Sequence, residues 1–164
     1  MGLFDFFKKK NQSVEMSPNI YLGREELEGV TLDMFGIANE CVEGQSKYYK
    51  GLDFSVKSLN VLDELLDDIR DIFDDLPEER QEALVTSCGS YVFEVARRNF
   101  GGAYFWNDSA NQLILVTGLP DFEVSIMAFD KVKSRIINRD EDSIPFYFLG
   151  YIENVMHRKS GLIV

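Results

Sequence analysis

The chain has 164 residues, of which 45% are hydrophobic and 13% aromatic, and its formal net charge is −11 at pH 7. This composition predicts a globular protein, since a disordered chain would carry far fewer apolar residues. The acidic balance argues against nucleic-acid binding, because such proteins neutralise phosphates with clustered Lys and Arg, and no apolar run approaches the length of a membrane span.

The N-terminal ten residues combine an apolar group with a run of lysines. On a helix, four apolar side chains would share one arc: Leu3, Phe4, Phe6 and Phe7. Lys8–Lys10 follow them, and because of this order of apolar and charged residues, without a cleavage site, we do not expect a signal peptide. Two interpretations stay open, namely a short segment lying on a membrane interface and an arm that packs on the domain or frays.

Residues 11–23 have the composition of a linker or an extended arm. We therefore predict an N-terminal arm over residues 1–23 and a single domain over residues 24–164. Its first helix is predicted over about residues 25–43. Ser55 or Ser58 can cap the second helix, which reaches Leu76.

The second helix carries seven carboxylates on one side and is called the acidic helix below. The opposite stripe is apolar at helical spacing, as expected for a buried face: Leu62, Leu65, Leu66, Ile69, Ile72, Phe73 and Leu76. The carboxylates are Asp63, Glu64, Asp67, Asp68, Asp71, Asp74 and Asp75. Arg70 lies at the border between the two faces.

Like charges three or four residues apart repel by about 0.2–0.5 kcal/mol per pair, and the seven such pairs here sum to about 1–4 kcal/mol before screening. Two interpretations of this face compete. It is either an ordinary solvated surface of an acidic protein, or a docking surface that selects a basic partner. A straight helix points its carboxylates outward, so a calcium site is not predicted.

A third helix is predicted from Pro77 to Phe100, with Gly101 and Gly102 as its C-cap. Gly89 would allow a neighbouring element to approach closely. Glu94 lies away from the apolar stripe, which leaves solvent exposure or a salt bridge with Arg97 or Arg98 as alternatives.

The remaining chain predicts three strands and two helices. The strands cover residues 103–106, 112–116 and 122–127, joined by short turns typical of an antiparallel meander. The helices cover about residues 130–138 and 144–157, the last one capped by Asp142 or Ser143. The fold class is therefore α+β, with three N-terminal helices, a three-stranded antiparallel meander and two C-terminal helices.

The sequence offers little for catalysis. His157, the only histidine, lies near a helix C-terminus, where a cation complements the helix dipole. Cys41 and Cys88 lie in apolar helical context and are predicted to be buried free thiols of a reducing cytoplasm. We predict no catalytic residue, no metal site and no cofactor.

Several segments resemble a known family: residues 52–59, 89–95, Trp106, 131–136 and 142–147. Over about residues 47–156 the chain is similar to a family of small bacterial cytosolic domains of unknown function. Phe93 stands where that pattern has glycine before the glutamate. The resemblance implies a bacterial cytosolic protein and transfers no activity.

Three functional hypotheses follow. The first is a non-enzymatic intracellular protein-binding module whose acidic face recognises a basic partner, for example an immunity-type inhibitor of a basic toxin. The second is a small enzyme or ligand-binding domain with a pocket between the sheet and the last helix, lined by Glu94, Trp106 and Tyr147. The third is a peripheral membrane adaptor acting through residues 1–10. The sequence does not fix an oligomeric state.

The aromatic run Tyr104, Phe105 and Trp106 also has two interpretations. It could fill the space between sheet and helices, or it could form a recognition patch.

Overall fold

The computed structural model describes residues 19–20, 24–138 and 143–164, and these form an α+β fold. The described elements follow in this order: β1 (Asn19–Ile20), α1 (Arg24–Gln45), α2 (Leu59–Phe73), α3 (Glu78–Phe100), β2 (Ala103–Asn107), β3 (Gln112–Thr117), β4 (Val124–Ile126), α4 (Ala128–Ile137), α5 (Ile144–Met156) and β5 (Gly161–Ile163). The predicted α+β class is confirmed, whereas the arrangement of the elements differs in detail, since one strand precedes the first helix and another follows the last.

The sheet is larger than the predicted three-stranded meander, and this part of the prediction is wrong. Its strand order is β1-β2-β3-β4-β5, with β2, β3 and β4 antiparallel as expected. In addition, β1 pairs antiparallel with β2, with Asn19 opposite Asn107. After α5, β5 pairs parallel with β4, with Ser125 opposite Leu162. Two- and three-residue strands are too short to show an alternating pattern, so only tertiary packing reveals them.

The segment predicted as an arm therefore contributes β1 to the sheet. The other residues of the predicted arm, 1–18 and 21–23, lie outside the described residues. From α1 onward the described elements share one main core that extends from Val30 to Ile163.

Helix α3 runs through the centre of this core. It is buried without interruption from Cys88 to Ala96, with α1 and α4 packed along it and the sheet beneath it. The predicted close approach at Gly89 is confirmed, because a Cβ there would overlap the ring of Phe129 at the start of α4. On its other side, α4 packs against α2.

The two cysteines meet between α1 and α3. Cys41 Sγ lies 4.0 Å from Cys88 Sγ, and both are buried free thiols, as predicted. The hydrogen bond to Cys41 and burial raise the pKa of the Cys88 thiol well above its usual value. Because the thiolate is the reactive form, the Cys88 thiol is expected to be unreactive.

The helix ends follow the predicted chemistry. Ser55 rather than Ser58 provides the cap: its Oγ accepts from Ser58 N–H at 3.2 Å, at a 3₁₀ turn that leads into α2. Ser143 Oγ accepts from Phe146 N–H at 3.3 Å and caps α5; Asp142 lies outside the described residues. Gly101, at φ 77°, ends α3 by donating its N–H to the Arg97 carbonyl.

Candidate functional site

The acidic helix forms, but it ends at Phe73 and not at the predicted Leu76, so Asp74 and Asp75 lie in the turn after it. Its apolar side is only partly buried. Leu62, Leu65 and Leu66 are fully buried, and α2 packs through them against α4 and α5. Ile72, expected in the buried stripe, is 54% exposed and lies among carboxylates. The end of α2 therefore presents an apolar side chain to solvent within an acidic surface.

Asp63 faces inward and serves the fold. Arg135 of α4 donates two hydrogen bonds to its carboxylate, at 3.1 and 3.0 Å, and Ile144 N–H donates a third at 2.8 Å. Asp63 thus links α2 to α4 and to the start of α5. Because its lone pairs already have partners in the protein, it is poorly suited to the partner-binding role that we predicted for it.

Two more of the predicted residues are partly engaged. Asp67 accepts from Arg70 at 3.0 Å and lies 3.5 Å from Arg135. Asp68 accepts a hydrogen bond from the Tyr49 hydroxyl. That hydrogen bond and partial burial raise the pKa of Tyr49 to about 12. Both carboxylates stay exposed, so they still contribute to the surface potential.

The other four carboxylates point to solvent. Asp71 is exposed and lies 3.9 Å from Arg70, whereas Glu64, Asp74 and Asp75 are exposed without an ion pair to any described residue. These four residues together with Ile72 are called the docking face below. It is a surface able to attract cations, and it contains no acid–base pair in a cleft.

The corner after α2 extends this surface and is held in place. Gln81 Nε2 donates to the carbonyls of Phe73 and Leu76, both at 3.0 Å. The first turn of α3 then adds the exposed Glu78 and Glu79, which the helix dipole favours there. Sequence reasoning used these two residues only as a helix start and missed that they prolong the acidic surface.

The predicted pocket between the sheet and the last helix is filled by side chains. Glu94, Trp106 and Tyr147 are 0%, 1% and 4% exposed and belong to the packed interior. Tyr147 uses its hydroxyl to accept from Met127 N–H at 3.1 Å and to donate to the Ile163 carbonyl at 3.1 Å. These residues therefore brace the sheet against the helices, and a ligand would have to displace them.

Glu94 is buried, so the alternative of solvent exposure is wrong and the predicted salt bridge is confirmed. Arg97 donates to its two carboxylate oxygens at 2.7 and 2.8 Å, and Arg98 donates at 3.1 Å. The Tyr104 hydroxyl adds a fourth hydrogen bond at 2.8 Å. This carboxylate is satisfied by its own neighbours and is a structural element.

The aromatic run of β2 divides between the two faces of the sheet. Tyr104 and Trp106 face the helices and fill the main core, as one of the two interpretations expected. Phe105 points to the opposite face, called the outer face below, where it clusters with Ile114 and Val116. A cavity of about 670 Å³ lies on the same face, lined among others by Ile114, Ser125 and Leu162.

Sequence reasoning missed the outer face, although a signal was present. Strand β3 reads Leu113-Ile114-Leu115-Val116, apolar at alternate positions on both sides. A strand that is apolar on both faces is typical of a sheet covered on both faces.

The described residues offer neither a group of metal ligands nor a membrane-spanning helix. There, no three His, Cys, Asp or Glu side chains are grouped so as to hold a metal ion. His157 is exposed, and its Nδ1 lies 2.8 Å from the Glu153 carbonyl at the end of α5. None of the helices in the described ranges is both long enough and apolar enough to cross a membrane.

Comparisons with known proteins give no relative. No family model, no curated protein and no solved structure matches this chain. The similarity to a family of small bacterial domains therefore stays a prediction from the sequence.

Proposed function

We propose that this protein is a non-enzymatic binding module that uses its docking face to bind a basic protein partner. The observation that carries the proposal is the arrangement around Ile72, which is 54% exposed and has Asp71, Asp74 and Asp75 beside it in the chain. A protein interface commonly combines an apolar anchor with a charged rim. The docking face provides the apolar anchor and the charged rim at the C-terminal end of α2.

Electrostatics supports the same proposal. Repulsion among the carboxylates of α2 costs about 1–4 kcal/mol at low salt. A cationic partner would relieve this repulsion on binding, and the negative field would accelerate its approach. The docking face is thus better suited to a Lys- or Arg-rich surface than to an acidic or neutral one.

An immunity-type inhibitor of a basic toxin is the narrower form of this proposal. Such a protein acts by covering a cationic surface in the cytoplasm, without any chemistry of its own. The internal use of Asp63 and Glu94 supports a binding rather than a catalytic role, because the two least exposed carboxylates considered above serve the fold.

The test compares two triple charge reversals of equal size. One variant carries Asp71→Lys, Asp74→Lys and Asp75→Lys on the docking face. Its matched control carries Asp33→Lys, Glu40→Lys and Glu43→Lys on exposed positions of α1. Each protein is immobilised, a lysate is passed over it at low salt, and proteins eluted by rising salt are identified by mass spectrometry.

We expect a basic protein to be retained by the wild type and the α1 control and lost from the docking-face variant. Equal loss of the partner from both variants would show that net charge and not this surface governs binding, and full retention by both would show that neither does. The folding of each variant is checked by its circular dichroism spectrum and thermal midpoint, which should match those of the wild type.

A further inference from the structure

The outer face of the sheet is apolar and buried, yet the described helices cover the other face. Phe105, Ile114 and Val116 are 5%, 1% and 1% exposed. Among the described residues, the side chains packed against them are those of Ala103 and Met127, which lie in β2 and directly after β4. Every described member of this cluster thus comes from the sheet or from the residue next to it. Side chains on an uncovered sheet face stay in contact with solvent, so their burial requires a cover that these residues do not supply.

A groove continues from this cluster toward β5. The cavity of about 670 Å³ shares Ile114 and Met127 with the cluster and reaches Leu162, which is 44% exposed. The outer face therefore offers an apolar surface longer than the cluster itself. The lining of the cavity also includes Glu123.

We propose that residues 1–18 of this same chain cover the outer face, with their apolar side chains on the cluster. The chain enters the sheet at Asn19, which pairs with Asn107 at the end of β2. Phe105 lies two residues before Asn107 and points to the same side of the strand. The segment that precedes Asn19 therefore starts at the Asn107 end of β2, where Asn107 also lines the cavity.

The length of the segment is sufficient. Ten residues reach about 33–36 Å when extended. Five strands at a spacing of about 4.8 Å make a sheet only about 19 Å wide between its outermost strands. The apolar residues Leu3, Phe4, Phe6 and Phe7 can thus reach any strand of the outer face.

The chemistry of the segment fits this surface better than it fits a membrane. Four apolar side chains in the segment match a face whose cluster is apolar. Residues 19–164 carry 14 basic and 26 acidic side chains and hence a formal net charge of −12. Docking of Lys8–Lys10 on the chain itself is therefore electrostatically favoured. Anionic lipid would instead be repelled by the rest of the protein.

The experiment uses the full-length protein, uniformly labelled with ¹³C and ¹⁵N. We expect nuclear Overhauser effects between the rings of Phe4, Phe6 or Phe7 and the methyl groups of Ile114, Val116 or Met127. A triple variant Phe4→Ser, Phe6→Ser and Phe7→Ser should lose these signals, shift the Ile114 and Val116 methyl resonances and bind the dye ANS several-fold more strongly. The matched control with Lys8→Ser, Lys9→Ser and Lys10→Ser should keep the ring-to-methyl signals.

Three results would overturn the proposal. Unchanged Ile114 and Val116 resonances in the phenylalanine variant would show that this segment is not the cover. Ring-to-methyl signals seen only between labelled and unlabelled molecules in a mixed sample would assign the cover to a second copy. Flotation of the wild type, but not of the phenylalanine variant, with phosphatidylcholine–phosphatidylglycerol vesicles would assign the segment to a lipid surface. Because the docking face lies on α2, none of these results affects the proposed function.

Discussion

At the scale of single residues, Glu94 shows how a charged side chain can be buried without being a catalytic group. Burial raises its pKa, but hydrogen bonds from Arg97 and Tyr104, together with the charge of Arg97 and a further bond from Arg98, outweigh burial and lower the pKa overall. The pKa of this carboxyl group in the unfolded chain is 4.5, and it is lower in the folded protein. Its ionised form therefore stabilises the fold fully at pH values above 4.5. This stabilisation is lost as the pH falls through the pKa of the folded state.

Replacing Glu94→Gln should therefore destabilise the protein by about 3–5 kcal/mol at pH 7, because two guanidinium groups would face a neutral amide. Urea unfolding at pH 7 measures this effect. Repeated in steps below pH 4.5, it should show a smaller loss of stability with acid for the variant than for the wild type. The exposed Glu79→Gln on the same helix is the control and should change little. Equal unfolding midpoints for both variants would contradict the structural role.

At the scale of elements, the contact between α3 and α4 depends on the missing side chain of Gly89. Alanine within a helix is favoured over glycine by about 1 kcal/mol. At this position, however, the added Cβ would overlap Phe129 and come within 3.3 Å of its Cα. We expect Gly89→Ala to destabilise the protein by about 1–3 kcal/mol, since overpacking exceeds the gain in helix propensity.

Gly36→Ala in α1 is the matched control for this prediction. No atom lies within 4 Å of a Cβ built there, so only the helix propensity should change. We expect it to stabilise the protein by up to about 1 kcal/mol. Thermal or urea unfolding measures both variants, and stabilisation by Gly89→Ala would show that α4 can move away at little cost.

The same elements explain which features the sequence could predict. Helix α2 has one buried stripe, and its period identified both the helix and its acidic side. Helix α3 is covered on several sides over residues 88–96, so its burial follows no single stripe, and Glu94 was wrongly allowed a solvent-exposed position. Ile72 follows the period of α2 yet is 54% exposed. A periodic pattern reports the direction of a side chain, and packing decides whether anything lies there.

At the scale of the whole molecule, the net charge of −11 opposes folding through self-repulsion. The densest group of like charges lies on α2 and in the turn after it. Asp71 takes part in four of the seven like-charge pairs there, with residues 67, 68, 74 and 75. Arg70 lies 3.9 Å from Asp71, on an exposed surface. The buried pairs of Asp63 and Glu94 are less accessible to salt ions.

Salt should therefore stabilise this protein, by about 1–2 kcal/mol between about 20 and 500 mM NaCl, because it screens the exposed repulsion more than the buried ion pairs. Asp71→Asn should raise stability at low salt by about 1 kcal/mol and reduce the response to salt, since it removes four repulsive pairs. Glu153→Gln on α5 is the control, because no other carboxylate lies three or four residues away. Urea unfolding measures each midpoint, urea being uncharged. If salt lowered the wild-type midpoint, exposed ion pairs would outweigh repulsion, and the docking face would have no electrostatic strain for a partner to relieve.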